Sequence, residues 1–174
     1  MADGTGDQTK STIEARLEVP SLSGFELVSA KVVEGLSERA YAEVEVAGHE
    51  DLDWASALLA SCTLRIDEVH AATRAPLRVR TWTLKLGEVR FTEHTDNSFR
   101  WLVRLHDPLW PLGLGRMTRK YRNMSARDIV SKILDEASIA HEWRVGQDLP
   151  VRKYTAQYRE SYLAFVERLL EFEG

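Results

Sequence analysis

Hydrophobic and polar residues alternate through most of the first two thirds of the chain. Ile13, Ala15, Leu17 and Val19 take every second position in one run, and FELVSAKVV follows Pro20 and Gly24 as another. EGLSER reads as a turn, after which Ala42, Val44 and Val46 alternate with Glu43 and Glu45. A period of two marks a strand with one face buried. It predicts that the second and third runs pair as a hairpin, with the aliphatic face inward and the carboxylates in water.

HEDLDWASALLA breaks that rhythm. Asp51 is placed to cap a short helix in which Trp54, Ala55, Leu58 and Leu59 share helical spacing. Cys62 to Val69 returns to strand alternation, and ATRAP is a turn. In the strand expected over 79–91, Trp82, Leu84 and Leu86 fall on even positions, whereas Val89 and Phe91 fall on odd ones. The phase changes at Gly87, which predicts a β-bulge that brings both sets to one core. HTDNS supplies a turn in which Asp96 and Asn97 tolerate left-handed backbone. Phe99, Trp101, Val103 and Leu105 then alternate with Arg100, Arg104 and His106 until Asp107-Pro108 ends the strand. Residues 13–106 therefore read as a strongly bent antiparallel sheet, a small barrel or sandwich.

The period changes after Pro111. Ser125 and Asp128 have capping-box spacing, and Ala126, Ile129, Val130, Ile133, Leu134 and Ala137 trace one apolar helical stripe. Leu149 to Tyr158 reads as extended. Ser161 caps a second helix with Tyr162, Val166, Leu169 and Leu170 on one face. The fold class is thus α+β: a bent antiparallel, barrel-like β domain over 13–112, then an α/β segment over 113–174. Residues 1–12, rich in Gly, Ser, Thr and Asp, are expected to be a disordered tail.

Composition narrows the function. A chain of 174 residues, 44% hydrophobic, can bury a core as one or two domains. A formal charge of −4 argues against a dedicated nucleic-acid binder. The single cysteine, Cys62, alternates with Leu64 and Ile66, so it reads as a small core residue, and no intrachain disulfide can form. No run approaches the ~20 apolar residues of a membrane span. The start, MADGTGDQTK, lacks the apolar stretch of a signal peptide, so synthesis in the cytoplasm is expected.

Candidate chemistry is sparse. His49, His70, His94, His106 and His141 include no pair at the i, i+4 spacing of a helical zinc site. His49, Glu50, Asp51 and Asp53 lack the glycine and ligand order of a calcium loop. His106 and Asp107 are adjacent on a strand and face opposite ways. No G-x-S-x-G occurs, and GLGR is not a phosphate fingerprint. No catalytic residue, cofactor or metal is expected, and the chain does not read as an enzyme. The one local cluster of charge is RMTRKYR, with Arg116, Arg119, Lys120 and Arg122 around Tyr121. It could track a phosphate backbone with Tyr121 as a stacking platform, meet an acidic partner, or form a solvated edge.

Two stretches carry a resemblance. Leu109, Trp110, Leu112, Tyr121, Ser125, Ile129 and Leu134 lie in RWLVRLHDPLWPLGLGRMTRKYRNMSARDIVSKILDEA. Gln157, Tyr158, Glu160, Ser161, Phe165, Val166, Arg168, Leu169, Leu170 and Glu171 lie in the last helix and the strand before it. Both stretches resemble the VgrG family, the spike proteins of type VI secretion systems, over about residues 22–174. The resemblance implies a base domain like the hub of contractile phage tails, with a β-barrel-like tube domain. It implies a homotrimer that adapts the Hcp tube to a puncturing needle, in contact with baseplate proteins, effectors or adaptors. It implies no nucleic acid, and export by the type VI machine without a signal peptide, touching membranes only through that machine. Family members continue beyond the point where Gly174 ends this chain, and Phe172 replaces an acidic residue. The second tube domain, OB-fold and needle are not here, so a truncation is expected. Such a truncation predicts an unpartnered strand edge at 150–158. Trp110 and the basic residues Arg116, Arg119, Lys120 and Arg122, with Tyr121, are the candidate interface. The other reading is a free-standing binding module whose 116–122 run holds nucleic acid or an acidic effector.

Overall fold

The computed structural model describes residues 11–174 except 37 and 96. It divides into two compact units, residues 1–107 and 108–174. Residues 1–10 of the expected tail, and Asp96 of the HTDNS turn, lie outside the described residues. Ser11 and Thr12, expected in that tail, belong instead to the first strand and pair with His70 and Val69.

In the first unit the alternating runs form six strands: β1 (Ser11–Glu18), β2 (Phe25–Gly35), β3 (Glu38–Gly48), β4 (Ser61–His70), β5 (Pro76–Thr95) and β6 (Ser98–His106). They make one antiparallel sheet in the order β1-β4-β5-β6-β3-β2, curled into a half-barrel. The predicted β2–β3 hairpin is present. Ala42, Val44 and Val46 are fully buried with Leu64, Val103 and Leu105. The carboxylates opposite them are not simply solvated. Glu43 accepts from Arg104 at 2.8 Å and Glu45 from Arg100 at 3.0 Å, both across to β6. These pairs are partly exposed, so each contributes about 1 kcal/mol at most.

β5 explains the curl. Its first half pairs with β4 and its second half with β6, and the register slips between Leu86 and Glu88. The bulge predicted at Gly87 therefore sits where the strand changes partners and the sheet turns. Leu84 and Leu86 are buried before it, and Val89 packs on the core after it. Phe91 departs from expectation: it lies opposite Trp101 and meets its ring at 6.5 Å, yet is 54% exposed, because that end of the face borders an open groove.

Across the open side of the curl, Trp82 Nε1 of β5 donates to Glu34 of β2 at 2.7 Å, and Arg80 pairs with the same carboxylate. The Trp82 hydrogen bond, then the Arg80 charge, hold Glu34 below the usual carboxylate range. β2 and β5 are not neighbours in the sheet, so this clasp joins strands that the ladder does not.

The helix expected from Asp51 shortens to a single 3-10 turn, Trp54–Ala57, capped by Asp53, whose carboxylate accepts from Ser56 N. Trp54 and Ala57 are buried, whereas Leu58 and Leu59 are about half exposed. The chain must leave helical geometry at once to pair Leu59 and Ala60 with Leu86, and the ladder wins over a second turn. Cys62 is buried as expected, and burial pushes its thiol up to about 11.

Gly48 ends β3 beside Gly24, whose φ is +81°. A Cβ at Gly48 would meet the Gly24 carbonyl oxygen at 3.0 Å and the Trp101 ring at 3.4 Å. Gly48→Ala is therefore expected to destabilise the first unit by about 1–3 kcal/mol, read from urea midpoints. An unchanged midpoint would mean that the Gly24 loop yields freely.

The second unit packs α1 (Ala126–Glu136) and α2 (Tyr162–Glu173) on a two-stranded ribbon of β7 (Met117–Tyr121) and β8 (Thr155–Glu160). Its core is Leu112, Tyr121, Ile129, Ile133, Phe165 and Leu169, with close aliphatic neighbours. On α2 the buried set is Leu163, Phe165, Val166 and Leu169; Leu170 points outward at 40% exposure, and Ala137 is exposed as the cap that ends α1. The segment expected to lack a partner at 150–158 has one. β8 starts at Thr155 and pairs antiparallel with β7, and Arg152 forms a bridge to Met124.

The capping box forms as predicted. Asp128 N donates to Ser125 Oγ at 3.1 Å, and Ser125 N donates to the Asp128 carboxylate at 3.1 Å. Ser125's donors hold Asp128 below its usual range, and hydrogen bonds from Arg119 and Arg168 do the same for Glu136 and Glu160. A carboxyl whose folded pKa is depressed stabilises the fold fully above its unfolded pKa. That contribution is lost as pH falls through the folded value. The melting temperature should therefore fall on acidification through the carboxylate range, and Asp128→Asn should flatten that slope. A slope identical to the parent protein would show that the box is not coupled to folding.

Candidate functional site

The ribbon sorts the predicted interface residues onto two faces. Strand alternation turns Arg119 and Tyr121 toward the helices. Tyr121 is 4% exposed, its ring stacked on Phe165 at 5.5 Å between centroids, and burial raises its hydroxyl pKa. It is a core ring, closed to any base that would stack on it. Arg119 makes a two-pronged pair with Glu136 at 2.6 and 3.1 Å, donates to Tyr162 Oη at 2.9 Å, and lies over both tyrosine rings. The Glu136 bond, above all, raises its pKa. Arg119 therefore joins β7, α1 and α2.

Arg116, Lys120 and Arg122 are exposed and make no ion pair among the described residues. Lys120 lies opposite Ala156 on the face away from the helices. Tyr158, two residues after Ala156, is 66% exposed, with the Arg159 guanidinium 5.4 Å over its ring. Trp110 opens a 3-10 turn, Trp110–Gly113, and is half-buried.

A second surface, unforeseen in the sequence, lies on the first unit. A groove of about 830 Å³ runs between the 52–58 segment and β5 beyond its bulge. Trp54, Val89 and Trp101 line it, with Leu58 and Phe91 exposed at its sides and Asp53, Glu88 and Arg90 among its charges. The phase change at Gly87 was the one signal of it, since that bulge sets where β5 parts from β4. No group of metal-binding side chains occurs among the described residues. His106 stands 3.9 Å from Glu88, and burial lowers its pKa.

The family model for the phage tail baseplate hub (GPD) matches residues 33–174. The chain belongs to the phage tail baseplate hub family. Solved structures share the hub fold. A component of the type VI secretion system of E. coli, itself described as similar to bacteriophage T4 tail proteins gp27 and gp5, matches with a TM-score of 0.71 at 24% identity. That match covers 89% of this chain and 42% of the other. The 43 kDa tail protein of prophage MuSo2 from Shewanella oneidensis matches at 0.57 and 13% identity, covering 94% and 51%. A tail protein from Neisseria meningitidis MC58 matches at 0.52 and 11% identity, covering 91% and 45%. This hub chain thus spans about half the length of the structures it matches. The matched region takes in every strand but β1 and part of β2, and both helices. The likeness to a type VI spike read from the two sequence stretches agrees with these findings. The hub chain shares its fold with a type VI secretion component and with phage tail proteins.

Proposed function

We propose that this chain forms part of the base of a type VI secretion spike, a trimeric adaptor between the Hcp tube and the needle. The observation that carries this reading is the open curl of the first unit. Among the described residues its sheet ends at β1 and β2 with no ladder between them, and unpaired edges with apolar residues beside them favour association with other chains. Val28 on β2 and Ile13 on β1 are 48% and 63% exposed. Baseplate proteins, effectors or adaptors are the further partners of such a base. It assembles in the cytoplasm, leaves through the machine without a signal peptide, and meets membranes only within it. Light scattering after gel filtration, alone and with Hcp, tests the proposal. A trimer mass and co-elution with Hcp are expected. A monomer that elutes apart from Hcp at every concentration would overturn it.

A further inference from the structure

The groove on the first unit and the bare face of the β7–β8 ribbon are chemically matched. Residues 1–107 hold 12 Lys and Arg against 18 Asp and Glu, or −6; residues 108–174 hold 11 against 9, or +2, which together give the −4 of the chain. The imbalance is also local. Asp53, Glu88 and Arg90 line the groove beside the paired Glu43 and Arg104, and exposed Glu50 and Asp51 just ahead of it in the chain leave its surroundings net acidic. The ribbon carries Lys120, and Arg122 and Lys153 lie just beyond its strands, all exposed and without an ion pair among the described residues. Each surface also holds apolar area that its own unit leaves in water: Leu58 and Phe91 at the groove, Tyr158 on the ribbon.

We propose that a second copy of this chain seats the exposed face of its β7–β8 ribbon in the groove of the first. Tyr158 supplies the aromatic anchor and Lys120 and Arg122 meet the acidic rim. The inference rests on the trimer proposed above and names its interface. Large aromatic side chains flanked by cations dominate the energetics of protein contacts when they enter a pocket, and opposite local charge sets orientation and speeds encounter. Two different patches in contact make a heterologous interface, and repeating it closes a trimer when each copy is turned by a third of a circle from the last.

Sedimentation velocity on the whole chain tests it. The parent protein should self-associate with concentration, less so as salt rises. Lys120→Glu with Arg122→Glu, and separately Asp51→Lys with Glu88→Lys, should each weaken association about tenfold or more. All four together should restore it. Tyr158→Ser should weaken it also. These positions are exposed, so circular dichroism should be unchanged. Association indifferent to both reversals, or not restored by the four changes together, overturns the interface while leaving a ring through other surfaces intact. A monomer that still binds Hcp overturns it and leaves the adaptor reading standing. Binding of a labelled DNA duplex that is lost in Lys120→Glu with Arg122→Glu, in a chain that does not self-associate, would assign the ribbon to nucleic acid instead.

Discussion

Phe165→Ala is expected to cost the second unit about 3–5 kcal/mol, the usual loss for a buried aromatic ring. Phe165 is fully buried on α2 and stacks on Tyr121 of β7 at 5.5 Å. It therefore joins a helix to the ribbon at the centre of a small core. At about 0.05–0.15 kcal/mol per residue, a unit of this size has a stability of only about 3–10 kcal/mol, so the loss is comparable to the whole. The space left is bounded by Tyr121, whose backbone is held in the ladder by Thr155, so collapse into it is limited. Urea unfolding followed by amide exchange on α2 measures the effect. A midpoint change under about 1 kcal/mol would mean that helix and ribbon relax together. Phe165→Leu, which keeps most of the volume, should cost less than half as much.

Trp101→Ala should be as costly to the first unit, about 3–5 kcal/mol. Trp101 is 3% exposed in β6 and is the hinge of an aromatic row: it stacks on Phe99 at 5.9 Å and meets Trp54 at 5.8 Å, which in turn meets Phe25 at 5.5 Å. The row joins β2, β6 and the 3-10 turn. That turn has one side-chain cap and no second turn of helix behind it, so Trp54 is its main anchor. Loss of Trp101 should therefore loosen the 52–58 wall of the groove as well as the core. The check is urea unfolding in a background with Trp82, Trp110 and Trp143 replaced by Phe, so that Trp54 alone emits in Trp101→Ala: a lower midpoint, and a red-shifted native spectrum. A native spectrum unchanged in wavelength would show that Trp54 is held without its neighbour. Trp101→Phe should recover about half of the stability, since the stacking partners remain.

Periodicity made much of this legible. The hairpin of β2 and β3, the bulge at Gly87, the capping box at Ser125 and the cap at Ser161 all depend on residues within a few positions of one another, and each formed. The helix at 51–59 failed for a distant reason. Leu59 and Ala60 are drawn into pairing with Leu86, a partner that spacing within HEDLDWASALLA cannot reveal. Phe91 looked like core for the same kind of reason: it shares the face of Trp101, but it lies where that face opens into the groove, which its own segment cannot reveal. The basic run was read as one cluster, but strand alternation divides it, placing Arg119 and Tyr121 inside and Arg116, Lys120 and Arg122 outside. β8 found its partner in β7, a pairing across more than thirty residues that neither segment announces.

By itself the sequence determined the strand and helix periods, the caps, the bulge and the likeness to a hub, because these are set by side chains close together along the chain. Only the tertiary structure decided which strands pair beyond the β2–β3 hairpin, how the sheet curls at β5, and where the groove and the bare ribbon face lie. Those depend on hydrogen bonds and burial between residues far apart in sequence, and free energy of that kind is not written in any single segment.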